Sequence, residues 1–332
     1  MAILVTGGAG YIGSVTVEKL RDAGADVVVI DNLVQGHRES LAENVSFYHG
    51  DVGDESLIRQ IIKLHSIGSC IHFAAFADVA ESIAEPEKYF ENNTKVTERL
   101  VATLLSENVR QFVFSSTCAV YGDPLETPIR ESHSPRPVNP YGQSKLRSEQ
   151  MLARLAADDD FGYVSLRYFN AAGATENCGE MHEPEHHLIP NVLSAASGKK
   201  DFVPIFGDDY STDDGTCVRD YVHVADLASA HISAIEYLNR KRPSIALNLG
   251  CESGYSVRQV IDVAQKVTGK TILTRVEPRR EGDPAVLIAD AQMANEALGF
   301  KTKYSDLENI IRTAWEWKLA HPNGYDPDKM AV

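Results

Sequence analysis

A tyrosine and a lysine four residues apart, in Tyr141-Gly142-Gln143-Ser144-Lys145, are the pair in this chain best placed to move a proton. On a helix such a pair shares one face. A free phenol titrates near ~10 and is a poor base at neutral pH. An ammonium beside it favours the phenolate and draws that value towards the working range. The same spacing recurs at Tyr237 with Lys241 and at Tyr325 with Lys329. The first of these falls at a helix end just before Pro243, and the second contains Pro327 and lies beyond the last predicted helix. Only the Tyr141 pair starts a helix, behind Asn139-Pro140, and follows a strand ending in hydroxyls, Phe114-Ser115-Ser116-Thr117-Cys118-Ala119. Ser115, Ser116 and Thr117 would project past the carboxyl end of that strand, where α/β sheets bind ligands, and a hydroxyl there can relay a proton.

The second chemical signal is Val5-Thr6-Gly7-Gly8-Ala9-Gly10-Tyr11-Ile12-Gly13. Gly7 permits a tight turn, Gly10 lets the backbone approach a pyrophosphate, and Gly13 allows a helix to pack closely on a strand. The helix that follows turns its free N–H groups to the phosphates. Asp31 ends the next predicted strand, 18 residues beyond Gly13. A carboxylate there accepts from a ribose 2′-hydroxyl and repels a 2′-phosphate, which favours NAD over NADP; His37 and Arg38 nearby leave NADP open. A dinucleotide is expected.

These groups need a scaffold. Ala2–Thr6, Asp26–Ile30, Val45–Tyr48, Cys70–Phe73, Phe112–Ser115 and Tyr163–Arg167 read as strands, each continuously apolar as if covered on both faces. Ile12–Ala23, Ser56–His65, Glu87–Asn108 and Tyr141–Ala157 read as helices between them. Alternation of this kind implies an α/β fold, a doubly wound parallel sheet of Rossmann type. After about Ala174 the texture changes: Thr175–Pro190 and Gly207–Gly215 are polar loops. A strand at Ile245–Leu249 and helices at Val257–Val267 and Leu307–Leu319 follow, the last stopped by Pro322 and Gly324. Residues 1–175 therefore read as a nucleotide-binding domain and 176–332 as a smaller, mixed α/β substrate domain, with about 217–250 returning to the first. The site is expected in the cleft between them.

Composition sets the limits. At ~150 residues per domain, 332 residues suggest about two domains. Hydrophobic residues at 43% and charged residues at 24% suit a globular chain with a sizeable core. A net charge of −15 argues against nucleic acid or an anionic membrane as partner, though not against an anionic small molecule. The five cysteines, Cys70, Cys118, Cys178, Cys217 and Cys251, form no Cys-x-x-Cys, so neither a disulfide framework nor a thiolate zinc site is expected. With no leader pattern and no run near ~18 apolar residues, the reading is a soluble cytoplasmic protein.

Together the glycine pattern, Asp31, the Ser115–Thr117 hydroxyls and the Tyr141/Lys145 pair resemble the extended short-chain dehydrogenase/reductases. Further segments narrow the resemblance to the UDP-sugar 4-epimerases among them, over nearly the whole chain: His72-Phe73-Ala74-Ala75, Val120-Tyr121-Gly122, Arg167-Tyr168-Phe169-Asn170, Val218-Arg219-Asp220-Tyr221-Val222-His223-Val224 and Pro278-Arg279-Arg280-Glu281-Gly282-Asp283. The Arg-Tyr-Phe-Asn and Pro-Arg-Arg-x-Gly-Asp segments are more specific than the glycines.

The resemblance implies a reversible oxidation that interconverts UDP-glucose and UDP-galactose through a 4-keto sugar, with bound NAD taking and returning the hydride. It makes Tyr141, Lys145 and Thr117 catalytic: Tyr141 as base, Thr117 as bridge and Lys145 as the holder of ribose and phenolate. It gives cofactor contacts to Gly7, Gly10, Tyr11, Ile12, Gly13, Asp31, Asn32, Asp51, Val52, Phe73, Ala74, Ala75, Asn92, Asn93, Ser115 and Phe169, besides Tyr141 and Lys145. It gives substrate contacts to Asn170, His187, Leu188, Ile205, Phe206, Arg219, Arg280 and Asp283, besides Thr117 and Tyr141. Two guanidinium forks suit a diphosphate. Ala77 stands where many relatives place a lysine near the cofactor, so that contact is missing or replaced. Leu287 stands where strict members often carry a bulky tyrosine, which leaves N-acetylated sugars open. A homodimer is implied.

Other readings have discriminators in the sequence. A sugar-nucleotide 4,6-dehydratase needs an acid/base pair after the hydroxyl residue, and Cys118-Ala119 cannot serve. A UDP-glucuronate decarboxylase lacks a recognised carboxylate-handling motif here. A non-catalytic NAD-binding module would not need Tyr141, Lys145 and Thr117 together. No metal site is expected: Pro184 interrupts His182, Glu183, Glu185, His186 and His187, which read as a solvated loop, and Asp209, Ser211 and Asp213 begin an EF-hand-like run whose Gly215 falls at loop position 7 rather than 6 and whose Asp220 replaces the bidentate glutamate.

Overall fold

The computed structural model describes residues 1–158, 160–280 and 282–325. Lys329 and Pro327 of the last Tyr/Lys spacing, and Glu281 of the Pro-Arg-Arg segment, lie outside the described residues. Ten strands run in chain order through Leu249: β1 (Ala2–Thr6), β2 (Val27–Asp31), β3 (Ser46–His49), β4 (Ile67–His72), β5 (Gln111–Thr117), β6 (Gly162–Tyr168), β7 (Asn170–Ala172), β8 (Val203–Phe206), β9 (Val218–His223) and β10 (Ile245–Leu249). Three more follow, β11 (Gly254–Ser256), β12 (Thr274–Glu277) and β13 (Val286–Leu287).

Seven of these form one parallel sheet in the order β10-β6-β5-β4-β1-β2-β3. The uniform apolarity of its strands follows from cover on both faces. Val5, Val29, Ile71, Val113, Leu166 and Leu247 enter one apolar layer, and their neighbours Leu4, Val28, Cys70, Phe112 and Phe114 enter the other. The expected α/β, doubly wound, Rossmann-type sheet is the observed one. β2 and β3 begin one residue later than expected, while β4 begins three earlier, through Gly68 and Ser69, where weak side-chain signal hid the strand.

Helices Tyr11–Asp22, Glu55–His65 and Pro140–Asp158 lie close to their expected positions. The expected helix Glu87–Asn108 is three joined pieces: Pro86–Tyr89, a π-helical stretch Phe90–Val96, and Thr97–Ser106. Helix Val224–Asn239 was not legible as an amphipathic pattern because it is buried along much of its length, packing on helix Tyr11–Asp22 and on the large sheet.

The smaller layer is built around β9, flanked by β11, β13 and β7, with β8 and β12 paired separately. Ile189, Val192, Leu193, Ile205, Val260, Ile261, Ile310 and Ile311 pack into one core there. Two chain segments pass directly from the large sheet into this layer. Only Phe169 separates β6 from β7, and β10 runs through Gly250–Ser253 into β11. No helix among the described residues is long and apolar enough to cross a membrane.

Candidate active site

The first glycine loop sits at the carboxyl end of β1. Gly7 has φ +68°, and a Cβ there would lie 2.5 Å from the amide nitrogen of Ala74; a Cβ on Gly13 would lie 2.2 Å from the carbonyl oxygen of Gly7. Both positions exclude a side chain through the chain's own packing. Gly10 is different, because its nearest neighbour would be Gly7 O at 3.4 Å. The protein tolerates a methyl group there, so a glycine at this position answers to a group approaching from outside. Gly10 also precedes helix Tyr11–Asp22, whose N-terminus is capped by no side chain.

Asp31 is buried at the end of β2 and accepts from Ala9 N at 2.9 Å and Leu33 N at 2.8 Å. Burial raises its pKa while these amides pull it back. A carboxylate has about four acceptor positions, so two remain for a ribose. Asn32 and Asp51 are exposed beside it, Val52 is buried in the core, and Ile12 packs at the core's edge. Tyr11 donates its hydroxyl to Gly173 O, tying the loop to the segment after β7.

The β4 loop closes the next side. Phe73 N and Ala74 N both donate to Thr6 O, at 2.9 and 3.2 Å, and the Phe73 ring lies against His231. Ala75 and Ala77 follow, half-buried and exposed. The two asparagines of the π-helical stretch divide their work. Asn93 is buried, accepting from Phe76 N at 2.9 Å and donating to Phe76 O at 2.9 Å and to Ser144 Oγ at 3.2 Å. Asn92 is half-buried and donates to Asn93 Oδ1, with its carbonyl oxygen left over.

Tyr141 stands in the first turn of helix Pro140–Asp158, its ring edge-on to Tyr89 at 6.4 Å. Thr117 ends β5 and accepts from Ala119 N at 3.1 Å. Lys145 Nζ donates to Ser115 O at 2.9 Å, lies 4.9 Å above the Phe114 ring, and is only 2% exposed. Here the structure corrects the sequence reading, in which Lys145 draws the phenol down. Burial pushes the Tyr141 phenol up, Tyr168 adds to the rise, and only the Thr117 hydroxyl opposes it. Burial also lowers Lys145 to about 7. The cause is common to both: neither charged form is solvated, and the lysine spends its bond on a strand carbonyl. Ser115 Oγ bonds the Tyr168 hydroxyl.

The smaller layer brings up the expected anion-binding groups. Arg219, on β9, donates to Val218 O at 2.9 Å, Pro284 O at 2.8 Å and Asp283 Oδ1 at 3.1 Å. Leu287 pairs with Arg219 in the strand register. The Arg280 guanidinium lies 3.9 Å from the Phe206 ring centre. Asn170 donates to Asp220 O at 2.8 Å, and Phe169 N to Leu249 O at 3.4 Å. Ile205, expected as a ligand contact, is 1% exposed and packs in the apolar core, which leaves that role to Phe206 beside it.

The polar loop before Pro190 is not the solvated run that its sequence suggests. Glu180, His182, Glu185 and His187 bring their ligand-type atoms within 4.8 Å of one another. His187 Nδ1 lies 2.9 Å from Glu180 and 2.8 Å from Glu185, and His182 Nδ1 lies 3.3 and 3.8 Å from the same two carboxylates. His186 turns away to Asp78 at 3.1 Å, and Glu183 is exposed. Each histidine thus faces two carboxylates. Glu180 raises His187 to about 11, and His182, which burial alone would lower, is held up at about 9. Leu188 opens the helix Leu188–Ala196 directly behind His187.

Residues 3–250 match the model of the NAD dependent epimerase/dehydratase family. The chain belongs to that family. It is 50% identical to the UDP-glucose 4-epimerase of Halalkalibacterium halodurans over 330 residues, which cover 99% of this chain and 98% of that one. A UDP-glucose 4-epimerase crystal structure superposes with a TM-score of 0.96 at 43% identity, covering 98% of this chain and all of the other. The UDP-glucose 4-epimerase of Bifidobacterium longum in complex with NAD+ and UDP superposes with a TM-score of 0.92 at 38% identity, covering 98% and 100%.

For a member of the NAD dependent epimerase/dehydratase family, the residues that the sequence reading overlooked lie behind the site. Glu149, on the Tyr141 helix, accepts from Ser116 Oγ at 2.5 Å and from Arg167 Nε at 2.9 and 3.1 Å. Arg167 donates also to the Tyr121 hydroxyl at 2.9 Å, which donates to Asn248 Oδ1 at 2.7 Å. Glu149 falls four residues after Lys145 and eight after Tyr141, so helical spacing carried a signal for it. Glu180 had none, since it becomes adjacent to His187 only through the loop's path.

Proposed function

We propose that this protein is an NAD-dependent UDP-glucose 4-epimerase, interconverting UDP-glucose and UDP-galactose. The observation that carries the reading is that Tyr141, Thr117 and Lys145 gather at the carboxyl end of β5, on the same end of the sheet as the β1 glycine loop, with Arg219 of β9 near the adjacent Cys118. The residues fit the dinucleotide: a turn that excludes side chains at Gly7 and Gly13, room at Gly10, an uncapped helix N-terminus and spare acceptor positions on Asp31.

Bound NAD supplies a reversible hydride acceptor. The chain's own residues do the rest. Tyr141, as phenolate, would take the proton of the sugar 4-hydroxyl, with Thr117 bridging the two oxygens, and the phenol so formed would give that one proton back to the sugar oxygen in the reverse step. Lys145 would hold the nicotinamide ribose, while the Thr117 hydroxyl opposes the rise that burial imposes on Tyr141. Arg219, Arg280, Asn170 and His187 grip the UDP moiety, so binding energy resides in the nucleotide and the sugar is held loosely enough to turn. Residues 1–175 would carry the cofactor and 176–332 mainly the UDP-sugar, with about 217–250 shared.

Cys118 supports this reading over a dehydratase, because burial pushes its thiol up to about 12 and leaves it neutral where elimination needs an acid/base group. Leu287, smaller than the tyrosine that strict members often carry, leaves acceptance of N-acetylated UDP-sugars open. Motif resemblance supports a homodimer, and five free cysteines support a reducing, cytoplasmic setting. Incubation with UDP-galactose, UDP-N-acetylgalactosamine and a dTDP-sugar, followed by product analysis, tests the proposal. UDP-glucose formed without net NADH is expected; steady NADH release or a dehydrated dTDP-sugar would overturn it.

A further inference from the structure

The Tyr141 helix carries a second buried charge one turn beyond Lys145. Glu149 is 6% exposed and Arg167 is 7% exposed, so this ion pair sits wholly inside the protein. Its polar atoms are matched outward through Ser116, Tyr121 and Asn248 to Ile129 O, which Asn248 Nδ2 meets at 2.9 Å. Ser116 and Arg167 are register partners on β5 and β6. Glu149 therefore pins the helix to the two strands that end in Thr117 and Tyr168. The adjacent residue Ser115 supplies the carbonyl that Lys145 meets.

We infer that Glu149, clamped by Arg167 and Ser116, is a positioning residue for Lys145: it fixes the helix so that Nζ meets Ser115 O, and it supplies the carboxylate charge that the buried ammonium faces. This inference rests on the epimerase reading of the site. The groups around Lys145 leave that task to Glu149. On its own helix are Tyr141 and Glu149. From β4 comes His72, which burial and Lys145 hold neutral at about 3. From β6 come Tyr168, pushed up to about 12 by burial, and Arg167, which is spent on Glu149. Among the described residues, Glu149 is the carboxylate that opposes the loss of Lys145's proton. A buried ammonium without it loses its proton at lower pH.

The test is kcat and KM for UDP-galactose across pH 6 to 10 in the NAD-loaded enzyme, for wild type, Glu149→Asp, Glu149→Gln and the double variant Glu149→Gln/Arg167→Met. The double variant removes both charges, so it avoids the unpaired buried arginine that can unfold the single variant. Glu149→Gln, where it folds, and the double variant should lose about tenfold or more of kcat at pH 8 with KM nearly unchanged. Their basic limb of kcat should move down by about one pH unit or more. Glu149→Asp should keep the wild-type limb at a reduced kcat. A folded double variant whose limb stays at the wild-type position, however slow, would overturn the inference and leave Glu149 a structural residue. A wild type inactive on UDP-galactose would overturn the epimerase reading and this inference with it, so the two failures are distinguishable.

Discussion

Lys145 donates to the backbone carbonyl of Ser115 at 2.9 Å, across from the helix it shares with Tyr141. The lysine is thus anchored to the strand that carries the hydroxyls, not to the phenol. Its amine is fixed before any ligand arrives, with two further N–H donors to spend. Its charge, at about 7, is the variable that this burial leaves adjustable.

Replacing Tyr141 by Phe removes the proton acceptor while leaving the ring that faces Tyr89. Turnover should fall by about 10²–10⁴-fold. UDP affinity, measured by calorimetry, should survive within a few-fold. Normal turnover in Tyr141→Phe would remove the residue from its role.

The phenol of Tyr141 is pushed up by its own burial. A cation brought beside it should bring it down, because the ionised form is then stabilised. The ultraviolet phenolate signal, followed against pH with Tyr141→Phe as the blank, should appear at lower pH in NAD-loaded protein than in protein stripped of nucleotide. Identical titrations would mean that bound cofactor and Lys145 do not tune this group.

Arg219 and Arg280 approach the cleft from different segments. Changing either to Ala should weaken UDP binding by about 10- to 100-fold, the size of one lost charge-assisted contact. Asp283, which accepts from Arg219, should matter less on its own. Unchanged inhibition by UDP in both arginine variants would refute their placement on the diphosphate.

Two glycines should separate folding from cofactor retention. Gly13→Ala places a methyl group 2.2 Å from Gly7 O, and overpacking of this kind costs about 1–3 kcal/mol. Gly10→Ala meets nothing closer than 3.4 Å and should melt with the wild type while retaining far less NAD after purification. Thermal melts and nucleotide content of the two variants decide the matter; equal NAD content in Gly10→Ala would end the assignment of that position to pyrophosphate.

The histidine–glutamate quartet should make stability depend on pH with a definite sign. His182 and His187 are raised to about 9 and about 11, so their contribution is complete below the ordinary imidazole value and declines as pH climbs through those raised values. Glu180 and Glu185 are lowered, so theirs is complete above the ordinary carboxylate range and is lost as pH falls below it. Denaturant unfolding should therefore show a loss of stability from pH 7 towards 11 that is smaller in Glu180→Gln. An equal loss in the variant would show that the quartet does not carry it.

What could be read in the sequence was local. Gly7, Gly10, Gly13 and Asp31 announce themselves by spacing, and Tyr141 with Lys145 by a shared helical face. The seven-stranded sheet follows from runs whose apolarity does not alternate. What could not be read depends on residues brought together by tertiary structure. Arg167 meets Glu149 because β5 and β6 align Ser116 with Arg167. Glu180 meets His187 because a loop folds back on itself. Helix Val224–Asn239 escaped because burial on several sides erased its polar stripe. The direction of the Tyr141 shift escaped for the same reason: desolvation is a property of the folded surroundings, and it outweighs a neighbour that spacing alone brings close.

The two crossings from the large sheet into the smaller layer have a mechanical result. With one residue between β6 and β7, and a four-residue run from β10 into β11, the nucleotide grip and the redox edge are spliced by continuous chain at two places. Links this short keep the nucleotide grip close to the redox edge, so in the proposed reaction the group left to turn is the hexose, about its own phosphate linkage.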